Sequence, residues 1–531
     1  MIFINNHEIV LDEHERLEPW TGYDRVVWLA MNFIKHCPRD PRNDLPWYLQ
    51  YSCFWTDPLR PTIWPDNPAG KFAWATTTLL KYYPYSGDRA FVDIVRAMLD
   101  RLITYHTPEH FAWGGVPYAS AQPGTGVYFG ARADGEYATE PDKIAQAARA
   151  YVDFYELTEE TRYLDAARRC ADVLVARMRE GNAEHSPWAF RVDARDGRVI
   201  EEYTANIIQA VRLFDELIRL GDSNYVAARG AAWEWILQYP MQNGMWKGYF
   251  EDIRLDPANM NRDQLSPLET ARYILQAAVI ARSVLSGAAF SAAESKERDE
   301  ATLAPHASAG VSKSRVGDCF ASLAMTDEVP RLIEWVCENL GAAPFYAAVP
   351  IHEQKFCWHV MGSHTARYAS LCALWAEVSG DASYRERAIR SFNWATYMAS
   401  DDGTVIVGID RPDYYNQCWF TDGYFDFVPH LIDGMAAMPE TAPRDSDHLL
   451  RASSVVQMIE YAPLHIRYRT FDSNAREVLR LTFKPTRVLA DGVVLREVEE
   501  LRDEPAWSFD TTLNVARVRH GARNVEILGR T

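Results

Sequence analysis

The sequence predicts a mainly α-helical protein of stacked helix hairpins, followed by a small antiparallel β-domain. Three observations carry that expectation. From about Phe72 to Met435, apolar residues recur at the 3.6-residue period of amphipathic helices. The junctions between those helices repeat one another, and beyond about residue 440 the apolar period changes to 2. A length of 531 residues also exceeds what one ordinary compact core supports, so a large repetitive domain or two unequal domains is expected.

The helical stripes are explicit. In TRYLDAARRCADVLVARM the residues Leu164, Ala167, Ala171, Leu174 and Met178 share one face, and in TANIIQAVRLFDELIRLG so do Ile207, Val211, Phe214 and Ile218. Each face needs a neighbour to bury it. The segments around Phe91, Tyr163, Tyr225 and Tyr384 follow one template: a helix ends, a short polar turn follows, an aromatic comes next and a second helix begins. These aromatics lie 72, 62 and 159 residues apart, which fits one hairpin per repeat with one copy hidden in the longest gap. Such repetition means stacked hairpins, as an open solenoid or a closed ring. LETARYIL (268–275) and HTARYASL (364–371) share Thr-Ala-Arg-Tyr, which puts Arg272 and Arg367 at equivalent turns of two repeats. Residues 285–316 are small and polar without sustained periodicity and read as a mobile insertion. After MPETAPRDSD, the alternations Leu464, Ile466, Tyr468 and Leu479, Leu481, Phe483 mark strands, and Asp491-Gly492 marks a hairpin turn. The expected division is a helical domain over 1–440 and a small β-sandwich-like domain over 450–531.

Composition narrows the function. With 55 basic and 73 acidic residues the net charge is −18, a field that repels the phosphate backbone, so nucleic acid is a poor partner. An aromatic share of 12%, with 17 Trp and 27 Tyr, suits a sugar-binding cleft. The 8 cysteines form no CxxC pair and are expected to be mostly reduced and buried. The first twenty residues lack a basic-then-apolar leader and no run approaches ~18 apolar residues, which predicts a cytoplasmic protein without membrane contact. No P-loop, GxSxG elbow or dinucleotide fingerprint occurs, so neither a cofactor nor a metal is expected.

The repeated hairpins, the polar loops ahead of alternate helices and the trailing β-domain resemble the six-hairpin (α/α)6 toroid superfamily of glycoside hydrolases, polysaccharide lyases and sugar epimerases, over about residues 20–435. The segments 249–275, 361–375 and 419–427 further resemble glycoside hydrolase family 154, the β-glucuronidases. The resemblance implies inner helices around a funnel, with catalytic residues on the loops at one end. It also implies cleavage of a glycosidic bond at a uronic acid. A lyase acting by β-elimination, a sugar epimerase on the same fold and a glycan-binding module without chemistry are the alternatives, because one fold hosts several functions.

The loops ahead of the expected inner helices supply the candidates. Glu251 and Asp252 follow Trp246, Tyr249 and Phe250 and have no evident structural role. WFTDGYFDFVPH (419–430) sets Trp419 and Tyr424 beside Asp422, and an aromatic face next to a carboxylate both carries a sugar ring and raises the acid's pKa by excluding water. The expected catalytic pair is therefore Glu251 or Asp252 with Asp422. HEQKFCWHVMGSHTARY (352–368) clusters Lys355, His359, His364 and Arg367, a cationic group that fits an anionic substrate, although Arg367 could equally pair with a structural carboxylate. Arg262, His359, His364 and Arg367 are expected to hold the substrate, with Trp358, Trp419 and Tyr424 as its platform. Ser266 and Glu269 read as a capping box, and Glu140, Asp142 and Lys143 as solvated charges at a helix start. Trp64 reads as part of a funnel wall. A sugar substrate and possible self-association complete the expected partners.

Overall fold

The computed structural model describes residues 2–55, 61–122, 125, 127, 137–248, 261–276, 325–355, 357–409 and 417–530. The expected insertion at 285–316 and the candidates Glu251 and Asp252 lie outside them. Six helices among the described residues surround one axis: α2 (Pro68–Ser86), α4 (Pro141–Thr158), α6 (Ile208–Arg219), α8 (265–276), α10 (Gly362–Ser379) and α12 (Val428–Ala437). Neighbours pack in that order, α12 returns to α2, and the ring closes. The link from α6 to α8 is Arg212–Glu269 and that from α8 to α10 is Arg272–Ser370. Outside them lie α1 (Tyr23–Lys35), α3 (Ala90–Thr104), α5 (Thr161–Ala176), α7 (Val226–Ile236), α9 (Glu328–Leu340) and α11 (Ala382–Thr396). The architecture is a mainly α-helical (α/α) toroid with a C-terminal antiparallel β region.

The repeated junction has a physical purpose. Phe91, Tyr163, Tyr225 and Tyr384 are all buried at or just ahead of the start of an outer helix. Three of them tie that start to the preceding outer helix: Tyr163 Oη donates to Asp100 (2.7 Å), Tyr225 Oη to Asp172 (2.8 Å) and Tyr384 Oη to Glu334 (2.8 Å). The ring body anchors the aromatic and the hydroxyl finds a carboxylate, which suits the two-sided character of Tyr. In the longest gap lies the outer helix α9, whose Glu334 receives the last of these bonds, while most of the residues ahead of it lie outside the described ones.

Short antiparallel ribbons stand ahead of the inner helices. Ala138–Thr139 leads into α4, Asn261–Arg262 into α8 and Val360–Met361 into α10, while Gln417–Trp419 precedes the turn into α12. The inner N-termini therefore share one mouth of the ring. At the opposite end, 448–529 form two five-stranded sheets packed on the inner C-termini. His448 Nδ1 lies 2.7 Å from the Tyr85 carbonyl, Tyr461 Oη donates to Pro84 O, Gln457 Nε2 donates to Glu156 O (2.6 Å), and Arg451 pairs with Glu377 (2.9 Å). The expected turn is present: Leu489 pairs with Val494 and Ala490 with Val493 around Asp491 (φ 44°) and Gly492 (φ 79°). Two successive positive φ values make the tight hairpin that Asp-Gly favours.

Two sequence expectations about charges need correction. Helix α8 begins at residue 265, ahead of Ser266, and the Asp263 carboxylate accepts the Ser266 N–H at 2.8 Å, so Asp263 is the cap and Glu269 is not part of a capping box. Glu140, Asp142 and Lys143 are not solvated. All three are buried, and Glu140 pairs with the buried Arg191 at 2.7 Å. A helix start that faces the ring axis has no solvent to offer them.

Candidate active site

At the mouth formed by the inner N-termini lies a cavity of about 100 Å³. Asn67 and Trp74 reach it from α2, Lys143 from α4, Gln264 from the start of α8, His364 and Arg367 from α10, and Asp422 and Asp426 from the turn ahead of α12. Trp64 and Trp419 stand edge to face at its rim, with ring centroids 5.2 Å apart. Glu353 completes the acidic side.

The segment Phe420–Phe425 is a single wide helical turn, closed by Asp426 N donating to Thr421 O at 2.8 Å. Such π turns interrupt helices at functional positions. Residues four apart lie roughly one turn apart, so Asp422 and Asp426 face the axis together. Gly423 lets this turn approach its neighbour: a Cβ there would sit 2.6 Å from the Val405 carbonyl oxygen. Asp422 is thus placed by a packed turn. One ligand-type atom from each of His364, Asp422 and Asp426 lies within 4.8 Å of the others.

Asp426 is held on both sides. Its Oδ2 accepts from Arg367 Nη2, and its Oδ1 lies 3.1 Å from His430 Nε2. Arg272 Nη2 lies 3.4 Å from His430 Nδ1, and a guanidinium can only donate, so Nδ1 is the accepting nitrogen and Nε2–H is directed at Asp426. Burial raises the Asp426 carboxyl, only partly offset by Arg367, and it stands at about 6. Burial, and then Arg367, push the His364 imidazole well below its usual value, so it is neutral at physiological pH. Glu269 shows the opposite balance. Burial would raise it, yet Arg212, Arg272 and Arg367 together hold it down at about 2. A neutral imidazole beside two carboxylates is a proton-transfer set. His, Asp and Asp are also ligand types for a divalent cation, but the Arg367 guanidinium already occupies one oxygen of Asp426 and would repel it.

The structure brings together four of the expected site residues, Asp422, His364, Arg367 and Trp419, all of which line the cavity. Arg367 is not a free anchor for a substrate carboxylate. It is 2% exposed, Nη1 donates to Gln264 (2.9 Å), Nη2 binds Asp426, and Nε lies 3.7 Å from Glu269. Tyr424 is no platform: it is fully buried, and its hydroxyl accepts the Val405 N–H and donates to Gly403 O. In the wide turn its ring points outward, into the packing with Phe33, away from the axis. Arg262 is exposed on a ribbon and donates to Asn339 (2.7 Å). Trp358 stacks on His352, at 3.8 Å between centroids, and neither it nor His359 lines the cavity. Asp426, Lys143, Glu353 and Trp74 line it without having been expected to, and so does Gln264, whose sequence position suits a sugar contact and a turn equally. One sequence signal does mark Asp426: Asp422, Asp426 and His430 form a polar stripe at four-residue spacing through an otherwise apolar segment.

No protein-family profile matches the chain, and no curated protein sequence is significantly similar to it. Solved structures are similar in fold. The cellobiose 2-epimerase of Spirochaeta thermophila matches with a TM-score of 0.52 at 11% identity, covering 78% of this chain and 96% of that one. A sugar epimerase from a ruminal bacterium matches at 0.51 and 12%, covering 77% and 98%. A D-mannose isomerase matches at 0.50 and 10%, covering 78% and 97%. The fold is therefore the six-hairpin toroid that several carbohydrate-active enzymes share. Among the described residues no helix is long and apolar enough to cross a membrane.

Proposed function

We propose that the protein is a carbohydrate-active enzyme of the epimerase or isomerase kind, which moves a proton at the carbon next to the carbonyl of an open-chain sugar. The observation that carries this reading is the neutral His364 set within 4.8 Å of Asp422 and Asp426 in one aromatic-rimmed cavity. In that chemistry His364 takes the C2 proton, Asp422 exchanges a proton with the carbonyl oxygen, and an enediolate forms. Return of the proton to the other face of C2 gives the epimer, and its return to C1 gives the ketose. Asp426, ionised above about pH 6, steadies the imidazolium formed on His364. The similarity in fold to two sugar epimerases and a mannose isomerase supports the same reading. Incubation with cellobiose, mannose and glucose in D2O, followed by NMR, tests it. An epimer or ketose labelled at C2 or C1 is expected, and unlabelled, unchanged sugars would sink the reading. Asp422→Asn is expected to slow turnover by roughly 10²- to 10⁴-fold.

A second reading, hydrolysis at a uronic acid as the resemblance to family 154 implies, is favoured by one observation: the raised Asp426 lies beside a second carboxylate. Their spacing is nearer the ~5–5.5 Å of a covalent, retaining route than the ~6.5–9.5 Å that an inverting water needs. Because Arg367 is already engaged, the substrate carboxylate would have to be held by other groups. Release of a reducing end from an aryl glucuronide or a uronic-acid oligosaccharide would select this reading. An ultraviolet-absorbing unsaturated product would select a lyase.

A further inference from the structure

Below the cavity, past Trp74 and the layer made by Glu269 and Arg367, the axis opens into a second chamber of about 80 Å³. Its wall carries the cations Lys81, Arg149, Arg212 and Arg272 against the carboxylates Asp153 and Glu269. Lys81 and Arg272 are satisfied, because they share Asp433 at 2.5 and 2.8 Å. Arg212 places Nη1 2.5 Å from Glu269 Oε2 and donates Nη2 to the Glu269 carbonyl, but its Nε–H has no hydrogen-bond partner among the described residues. Arg149 Nε also has no hydrogen bond among the described residues, with the paired Asp153 4.0 Å away. Gln209, 2% exposed, leaves Nε2 unmatched as well.

Among the described residues, three donor nitrogens without a hydrogen bond, two of them on guanidinium groups, therefore belong to side chains that line one chamber. A donor nitrogen shut away from water without an acceptor is unfavourable, so the set calls for a species that accepts hydrogen bonds and carries negative charge. The unmatched acceptors do not cancel this. Rotation of the Gln146 amide puts its NH2 group where Oε1 stands, and the Gln209 amide can rotate likewise, so that the guanidinium donors carry the charge argument. Glu269 Oε1 lies between Arg272 Nε (3.5 Å) and Arg367 Nε (3.7 Å). Burial also raises the Asp153 carboxyl, and Arg149 offsets that only in part. Asp153, the carboxylate that Arg149 approaches, is thus inclined to give up its charge.

We propose that this chamber binds a small inorganic anion, of halide to phosphate size, between Arg149, Arg212 and Gln209. The β-domain packs on the end of the ring that the chamber faces, so the anion would sit between the catalytic cavity and that domain. It would be a fixed negative charge in the axial ion network, whichever sugar chemistry the mouth performs.

Protein exchanged into sodium gluconate and then given bromide or phosphate at constant ionic strength provides the test, read by thermal unfolding and by crystals grown with each anion. The expected result is a Tm that climbs with the logarithm of anion concentration above a half-saturation point, with density (anomalous for bromide) among the three N–H groups. A response to bromide alone marks a halide site, and a response to phosphate alone an oxyanion site. Ordered water as the only occupant in both crystals, with a flat Tm, overturns the proposal. Arg212→Gln strips Glu269 of its nearest partner and risks the fold, so Gln209→Leu, which keeps every ion pair, is the discriminating variant. Its half-saturation should rise roughly tenfold. An unchanged anion response in folded Gln209→Leu protein would remove Gln209 from the site and with it the proposal.

Discussion

The two Thr-Ala-Arg-Tyr helices carry the same four residues to the same axis and give them different work. Arg367 is the sixth residue of α10, lines the catalytic cavity and binds Asp426 directly. Arg272 is the eighth residue of α8, about 3 Å further along its helix at 1.5 Å per residue, and it binds Asp433 and Ser370 in the layer below. Among the described residues its hydrogen-bonded link to Asp426 runs through His430. Both guanidinium groups come within 4 Å of the same Glu269 oxygen. A repeated motif thus sets which side chain reaches the axis, and the starting point of its helix sets the height at which that side chain acts.

Substitution separates the two roles. Arg367→Met leaves the buried Asp426 and Glu269 short of a cation, and a loss of about 3–5 kcal/mol in denaturant unfolding is expected, together with loss of turnover. Arg272→Met should cost less, about 1–3 kcal/mol, because Asp433 keeps Lys81. Equal losses for the two would break the distinction in height. In folded Arg272→Met protein the acid limb of kcat/KM, expected near pH 6 from Asp426, should move to higher pH, since Arg272 is one of the charges that lower that carboxyl. An unmoved limb would mean that Arg272 does not act on Asp426.

Glu269, where the two arginines meet, sharpens the comparison through its pH dependence. Its folded carboxyl stands at about 2 against an unfolded value of about 4.3, so its stabilisation is complete above the unfolded value and drains away as pH falls toward 2. Asp426 has the opposite sign: its contribution is present below about 4 and is lost as pH rises through about 6. Tm of Glu269→Gln should lie well below that of the parent protein at pH 7 and converge with it on acidification. A constant offset at every pH would deny the charge pairing. The smallest effect is expected far from the mouth. Tyr461→Phe removes the hydroxyl that accepts the Leu449 N–H and donates to Pro84 O, costing about 1 kcal/mol and leaving turnover unchanged.

The ring itself was legible in the sequence because it is written locally. Apolar period, polar turn and aromatic are all short-range signals, and the buried Phe91, Tyr163, Tyr225 and Tyr384 report them faithfully. The Asp491-Gly492 hairpin is local in the same way. The site was legible only where it shared that locality, as at Asp422, His364 and Trp419, which begin or precede inner helices. Tyr424 and Lys143 show the limit. Two residues from Asp422, Tyr424 turns into the core because the helical turn there is wide, and Lys143 reads as a solvated charge until five other helices enclose it.

Sequence alone therefore determined the hairpin repeat, the change to strands and the supply of acids, imidazoles and arginines at the starts of alternate helices. Tertiary structure alone decided which of them meet. Asp426 finds Arg367 from 59 residues away and Arg212 finds Glu269 from 57. Charges become neutral, paired or reactive only when ring closure removes water from around them, and that closure depends on all six hairpins together.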